Sequence, residues 1–137
     1  MTLKTLVAAT VALVFSGFTA QAEQPVDCGY PLNETERAFC AEEALKKAEV
    51  DLGKTFLRAL AKMRELDNEL PEDLQGSPAA LEEAQNAWRD YRDKDCAAYS
   101  YPFRAETRGD ELYRGCMIVM TMQRTDDLDA MVEDYGN

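Results

Sequence analysis

The chain has 137 residues, with 15 basic and 26 acidic side chains and no histidine, for a net charge of −11. Such a surface repels nucleic acid and anionic lipid headgroups and attracts basic proteins at long range, so a protein partner, if there is one, is expected to be cationic; on charge alone the preferred reading is that the acidity only keeps the chain in solution. Without histidine, a Gly-x-Ser-x-Gly elbow or a cysteine expected to be free, the common nucleophile and base pairs cannot be assembled; no enzymatic activity, catalytic residue, metal or cofactor is expected.

Residues 1–22 read as a cleaved secretory signal. Lys4 is a short positive n-region, Leu6 to Phe18 is uncharged and apolar, and Ala20-Gln21-Ala22 has the small-x-small form accepted by signal peptidase. The apolar run falls short of the roughly 20 residues that a membrane span needs. Pro25-Val26-Asp27 before Cys28 lacks the small apolar residues of a lipobox, so no lipid or membrane anchor is expected after cleavage. What remains, residues 23–137, is long enough for a single domain with a modest core and carries 14 basic against 26 acidic side chains, a net charge of −12. The expected location is periplasmic or secreted.

After a short extended lead, Asn33-Glu34-Thr35-Glu36 offers a helix start, with Asn33 as the cap and Glu36 three residues on. Leu45, Ala48, Leu52, Phe56, Ala59, Met63, Leu66 and Leu70 then recur at steps of three and four, the stripe of a long amphipathic helix that Pro71 ends. Pro71 to Ser77 forms a short link, and Ser77-Pro78 restarts a helix with a serine cap and a proline in the first turn. On this second helix Leu81, Ala84, Trp88 and Tyr91 share an inward face, while Arg89 with Asp93 and Asp90 with Lys94 are spaced to pair outside.

Pro102 stops the second helix, and Tyr101 to Gly109 reads as a loop carrying Phe103, Arg104 and Arg108. A third helix starts at Asp110, with Leu112, Cys116, Val119 and Met120 apolar on one side and Leu128, Met131 and Tyr135 continuing it. Met117, Met120, Met122 and Met131 are either core filler or an adaptable binding surface; core filling is preferred, with Met122 the least buried. Strand signals, repeats and low-complexity tracts are absent. The expected fold is all-α: a small helical bundle made of a long antiparallel hairpin and a third helix packed across it.

Four cysteines in an exported chain read as two disulfides, in three conceivable pairings between which the residues do not choose. Zinc is the poorer reading, with no Cys-x2-Cys unit and no histidine. Carboxylates are plentiful enough for a glycosidase-like pair, but Glu65, Asp67, Glu69, Glu72 and Asp73 look like a solvated helix end, and Asp126, Asp127 and Asp129 lack the glycine and ligand order of a calcium loop.

One pattern is more specific. Leu81-x3-Gln85-x2-Trp88-x2-Tyr91-Arg92-x3-Cys96, followed by Cys116-x4-Thr121-x2-Arg124-x3-Leu128, resembles the lysozyme inhibitor LprI-like family of secreted bacterial proteins, and the resemblance extends to Cys28, Thr35, Glu36, Cys40 and Leu52. It implies two local disulfides, Cys28 with Cys40 and Cys96 with Cys116, pairs that each bracket a helix boundary. It also implies binding to a lysozyme, a mostly basic enzyme to which an acidic, rigid protein would be steered. Gly53 and Phe56, where relatives tend to have asparagine and tyrosine, depart from the pattern, as does the 101–110 loop, where a glycine- and serine-containing stretch is usual.

Within the motif, a scaffold role is preferred to ligand contact. Arg92 is expected over the Trp88 ring or against a carboxylate, with Gln85, Thr121 and Arg124 satisfying polar groups between helices. The loop bearing Tyr101, Phe103, Arg104 and Arg108 is the candidate for recognising a partner, because a disulfide around it would lower the cost of ordering and its residue types are those of interface hot spots; an ordinary stapled connection is the competing reading. The alternative to a lysozyme inhibitor is an envelope module that binds another exported protein or serves as an accessory subunit.

Overall fold

The computed structural model describes residues 25–136; the expected signal segment, residues 1–22, lies outside them. Three helices follow one another: α1 (Glu34–Asp67), α2 (Ser77–Ser100) and α3 (Thr107–Asp134), with 3-10 turns at Glu72–Leu74 and Tyr101–Phe103 in the two connections. The start of α1 is where its capping residues place it. The Asn33 side chain accepts the Glu36 amide at 2.9 Å, and the Glu36 carboxylate reaches back to the Asn33 amide group at 3.0 Å and the Leu32 backbone N–H at 2.6 Å. The Glu36 amide, which the first helical turn would otherwise leave unpaired, is thereby satisfied, and the lead is fixed to the helix start.

Helix α1 stops at Asp67, earlier than the apolar stripe and Pro71 imply, and Leu70 is exposed. Asp67 is the reason. Far from being part of a solvated helix end, it is buried and accepts the Gly76 N–H at 2.7 Å, the Ser77 N–H at 3.0 Å and the Ser77 hydroxyl at 2.6 Å. The end of α1 therefore caps the start of α2, and Ser77 lies inside the helix, with Gly76 in the cap position. Gly76 has φ +139°, a backbone conformation open to glycine and strained for other residues.

Salt bridges tie Arg37 to Glu111 near the start of α1 and α3, and Arg58 to Asp129 further along both, so these helices run parallel with α2 antiparallel between them in the chain. The most extensive packing is between α1 and α3, followed by α2 with α3; the sequential pair α1 and α2 touches least. Side-chain size accounts for this order. The inward line of α1 includes the small residues Ala48, Thr55 and Ala59, which admit a neighbouring helix closely, whereas α2 turns the long Gln85 and Arg92 inward.

The apolar core lies at one end of the bundle. Leu52, Ala59 and Leu60 of α1 meet Leu81 of α2 and Leu128 of α3, with Phe56, Met63, Trp88, Met131 and Val132 packed around them. At the other end the Cys96–Cys116 disulfide joins α2 to α3 across a Cα–Cα distance of 5.5 Å, and Cys28–Cys40 ties the N-terminal lead to α1 at 5.4 Å. Met117 is buried, Met120 and Met131 are half-buried and Met122 faces out. Val119, expected among the inward residues, is exposed because α3 turns Met117, Thr121 and Leu128 inward instead. Among the described residues no helix is long and apolar enough to cross a membrane.

Candidate functional site

Between the apolar core and the Cys96–Cys116 staple lies a layer of polar side chains from all three helices. The buried line of α2 is Leu81, Gln85, Arg92 and Cys96, with Trp88 half-buried beside it. This corrects the expected face: Ala84 is exposed and Tyr91 is 58 % exposed. Cys96 must face Cys116 for the disulfide to close, and Arg92 and Gln85 stand one and three helical turns before it, so the covalent bond selects their side of the helix.

Arg92 is buried and its polar contacts come from all three helices. Its Nη1 donates to Glu49 Oε1 at 2.5 Å and to Thr121 Oγ1 at 2.8 Å, its Nε donates to Asp93 Oδ1 at 3.0 Å, and the guanidinium lies 5.0 Å from the Trp88 ring centroid. Arg124 approaches the same ring at 5.9 Å and donates from Nε to Gln85 Oε1 at 3.0 Å. Two cations thus share one indole, and Thr121 is fully buried. Asp93 pairs with Arg92 and not with Arg89, while Asp90 and Lys94 form the expected pair at 2.7 Å.

Of two acids at the helix seams, Glu49 was passed over in the sequence and Asp67 was read as solvated surface. Glu49 stands beside Ala48 on the inward edge of α1, a position where a charged residue signals a buried partner, and Arg92 is that partner. Asp67 interrupts the α1 stripe in the same way.

The 101–110 segment is more ordered than a loop. The chain leaves α2 directly into the Tyr101–Phe103 turn, and α3 begins at Thr107, before the expected Asp110. Gly109 is buried in that first turn of α3, where a Cβ would sit 2.4 Å from the Phe103 carbonyl oxygen. Glycine alone allows so close an approach. On the outside of the corner, the Arg104 guanidinium stacks 4.2 Å from the centroid of the Tyr101 ring and donates to the Tyr101 carbonyl at 3.0 Å, and Arg108 stacks 4.4 Å from the Phe103 ring. Tyr101, Arg104 and Arg108 are exposed and Phe103 is half-buried.

Alongside this corner, on the outer seam of α2 and α3, runs an apolar groove of about 620 Å³. Tyr99, Leu112, Val119 and Met120 line it, with Asp95 and Glu111 among its walls. The Met120 sulfur lies 3.6 Å from Cys96 Sγ and 3.9 Å from Cys116 Sγ, an apolar sulfur contact because neither disulfide sulfur carries a proton. The staple therefore backs both the groove and the corner.

The sequence profile described as "Lysozyme inhibitor LprI" matches residues 29–128, a span that contains the whole polar layer and three of the four cysteines, Cys40, Cys96 and Cys116. An uncharacterized protein of Rhizobium meliloti (strain 1021) is 31 % identical over 122 residues, which cover 86 % of this chain and 88 % of that protein. No solved structure matches.

Proposed function

The chain belongs to the lysozyme inhibitor LprI family, and from that premise we propose that it is an exported protein, not itself an enzyme, that binds a basic lysozyme and blocks its cleft. Family membership is the observation that carries this reading. Two disulfides support export, since such bonds form and persist in oxidising compartments. Net charge supports the choice of partner: with 26 acidic side chains, the protein is drawn to a cationic target from a distance. The corner at residues 101–110 is the proposed contact face. It is held between α2 and α3 by the disulfide and by the close approach at Gly109, so little order remains to be imposed on binding.

Titrating the purified protein against several lysozyme types, while following lysis of cell walls, tests the reading. Lysis is expected to fall with inhibitor concentration, and the association rate is expected to drop at least tenfold as ionic strength rises from about 0.01 M to about 0.5 M, because the Debye length shrinks. An absence of inhibition at micromolar excess would remove the reading for the lysozyme types tested.

A further inference from the structure

We propose that Arg104 and Arg108 are the groups that enter the target's cleft, where they pair with the two carboxyl groups of a glycan-cleaving active site; this rests on the inhibitory reading above. In a chain with 26 acidic residues, these two arginines form no ion pair among the described residues; Arg64, Arg89, Arg114 and Arg124 share that with them, while Arg37, Arg58 and Arg92 are paired, and what sets Arg104 and Arg108 apart is their place together on the exposed corner. Each lies instead against an aromatic ring, Arg104 on Tyr101 and Arg108 on Phe103. Stacking occupies the face of a guanidinium and leaves the N–H groups on its edge, a planar fork that matches a carboxylate; in Arg104 one Nη1 donor goes to the Tyr101 carbonyl, and Nε and Nη2 remain. The acids nearest in sequence, Glu106 and Asp110, are exposed and do not take those donors.

The chemistry of the target explains why such a fork inhibits. Most glycosidases place two carboxyl groups around the scissile bond and stabilise a transition state in which positive charge develops on the sugar ring. A guanidinium is planar and permanently charged, so in that place it offers the site the charge it is built to stabilise. The layout of charge on the two proteins is complementary at both scales. The acidic body of this chain faces a basic enzyme, and its unpaired arginine corner faces the acidic part of the cleft. Pre-stacking matters as well, because a side chain already held against a ring and a backbone carbonyl loses less freedom on insertion.

The test compares Arg104→Gln, Arg108→Gln and the double variant with the wild-type protein against a lysozyme that the wild type inhibits, with circular dichroism and thermal melting to establish that each variant is folded. The double variant is expected to inhibit about 30-fold less well or worse, as loss of a pair of hot-spot residues would. The lysine substitutions, which keep charge and lose the fork, should fall between, and Arg89→Gln, on an exposed part of α2, should inhibit as the wild type does. A second arm measures binding to a lysozyme whose two active-site carboxyl groups are amides. Wild type should lose affinity for it and the double variant should lose little, the signature of direct coupling. A folded double variant that inhibits within about threefold of wild type, or equal losses for both proteins in the second arm, would overturn the proposal and leave the inhibitory reading standing. Failure of the wild type to inhibit any lysozyme would overturn both.

Discussion

At Arg92 a permanent positive charge sits where water scarcely reaches, with its side chain 7 % exposed. It is tolerated there because the guanidinium has a carboxylate on either side, a hydroxyl acceptor on α3 and an aromatic ring within reach. Such an arrangement is asymmetric: removing one partner leaves the other buried and unmatched, whereas replacing both by apolar groups costs far less. Glu49→Leu is accordingly expected to lower stability by about 1–3 kcal/mol in chemical denaturation, and Arg92→Met combined with Glu49→Leu to recover most of that loss. A double variant as unstable as the single one would mean that the pair contributes through something other than burial of unmatched charge. The Gln85 to Arg124 contact and the shared Trp88 ring belong to the same layer, which is why Gln85, Trp88, Arg92, Thr121 and Arg124 cluster in one place. Tyr91, a neighbour of Arg92 in the motif, lies outside the layer because consecutive residues on a helix point about 100° apart.

Between elements, the connections are as specific as the helices. Asp67 closes α1 onto α2 by taking two amides and a hydroxyl, and the Ser77 hydroxyl, followed by the Gly76 amide, holds its carboxyl below the ordinary value of 3.8. A carboxyl with a lowered folded-state pKa adds stability that is complete above its unfolded value and is lost as pH falls through the folded one. The melting temperature of wild type should therefore exceed that of Asp67→Asn at neutral pH, with the difference narrowing once pH drops below about 4. A difference that stays constant between about pH 7 and pH 2 would show that the ionised carboxylate is not what caps α2. The corner between α2 and α3 is built differently, by backbone contact at Gly109 and by the disulfide behind it. Its residues are a recognition candidate in the sequence by their types, their loop position and the cysteines around them; that they form a 3-10 turn with two arginine–aromatic stacks was not legible there, since stacking depends on how α3 leaves the turn.

For the molecule as a whole, the buried apolar residues are few, and the disulfides carry a correspondingly large share of stability. Replacing Cys96 and Cys116 by serine should lower stability by about 3 kcal/mol, the magnitude for a loop of this size, because that bond spans 20 residues and joins two helices. The Cys28–Cys40 bond spans 12 and anchors an exposed lead, so its loss should move the global melt less. Full reduction that left the melting temperature unchanged would contradict both expectations. Three helices, the Asn33 cap and the family pattern were all determined by the sequence itself, since each rests on residues three or four apart or on a local succession of types. The rotation of α2, the burial of Asp67, the pairing of Glu49 with buried Arg92, and the dominance of the α1–α3 contact were decided only in the tertiary structure. Several faces of an amphipathic helix are nearly equivalent in hydrophobicity, and the choice among them was made by partners distant along the chain: Cys116 for Cys96, and Glu49, 43 residues away, for Arg92.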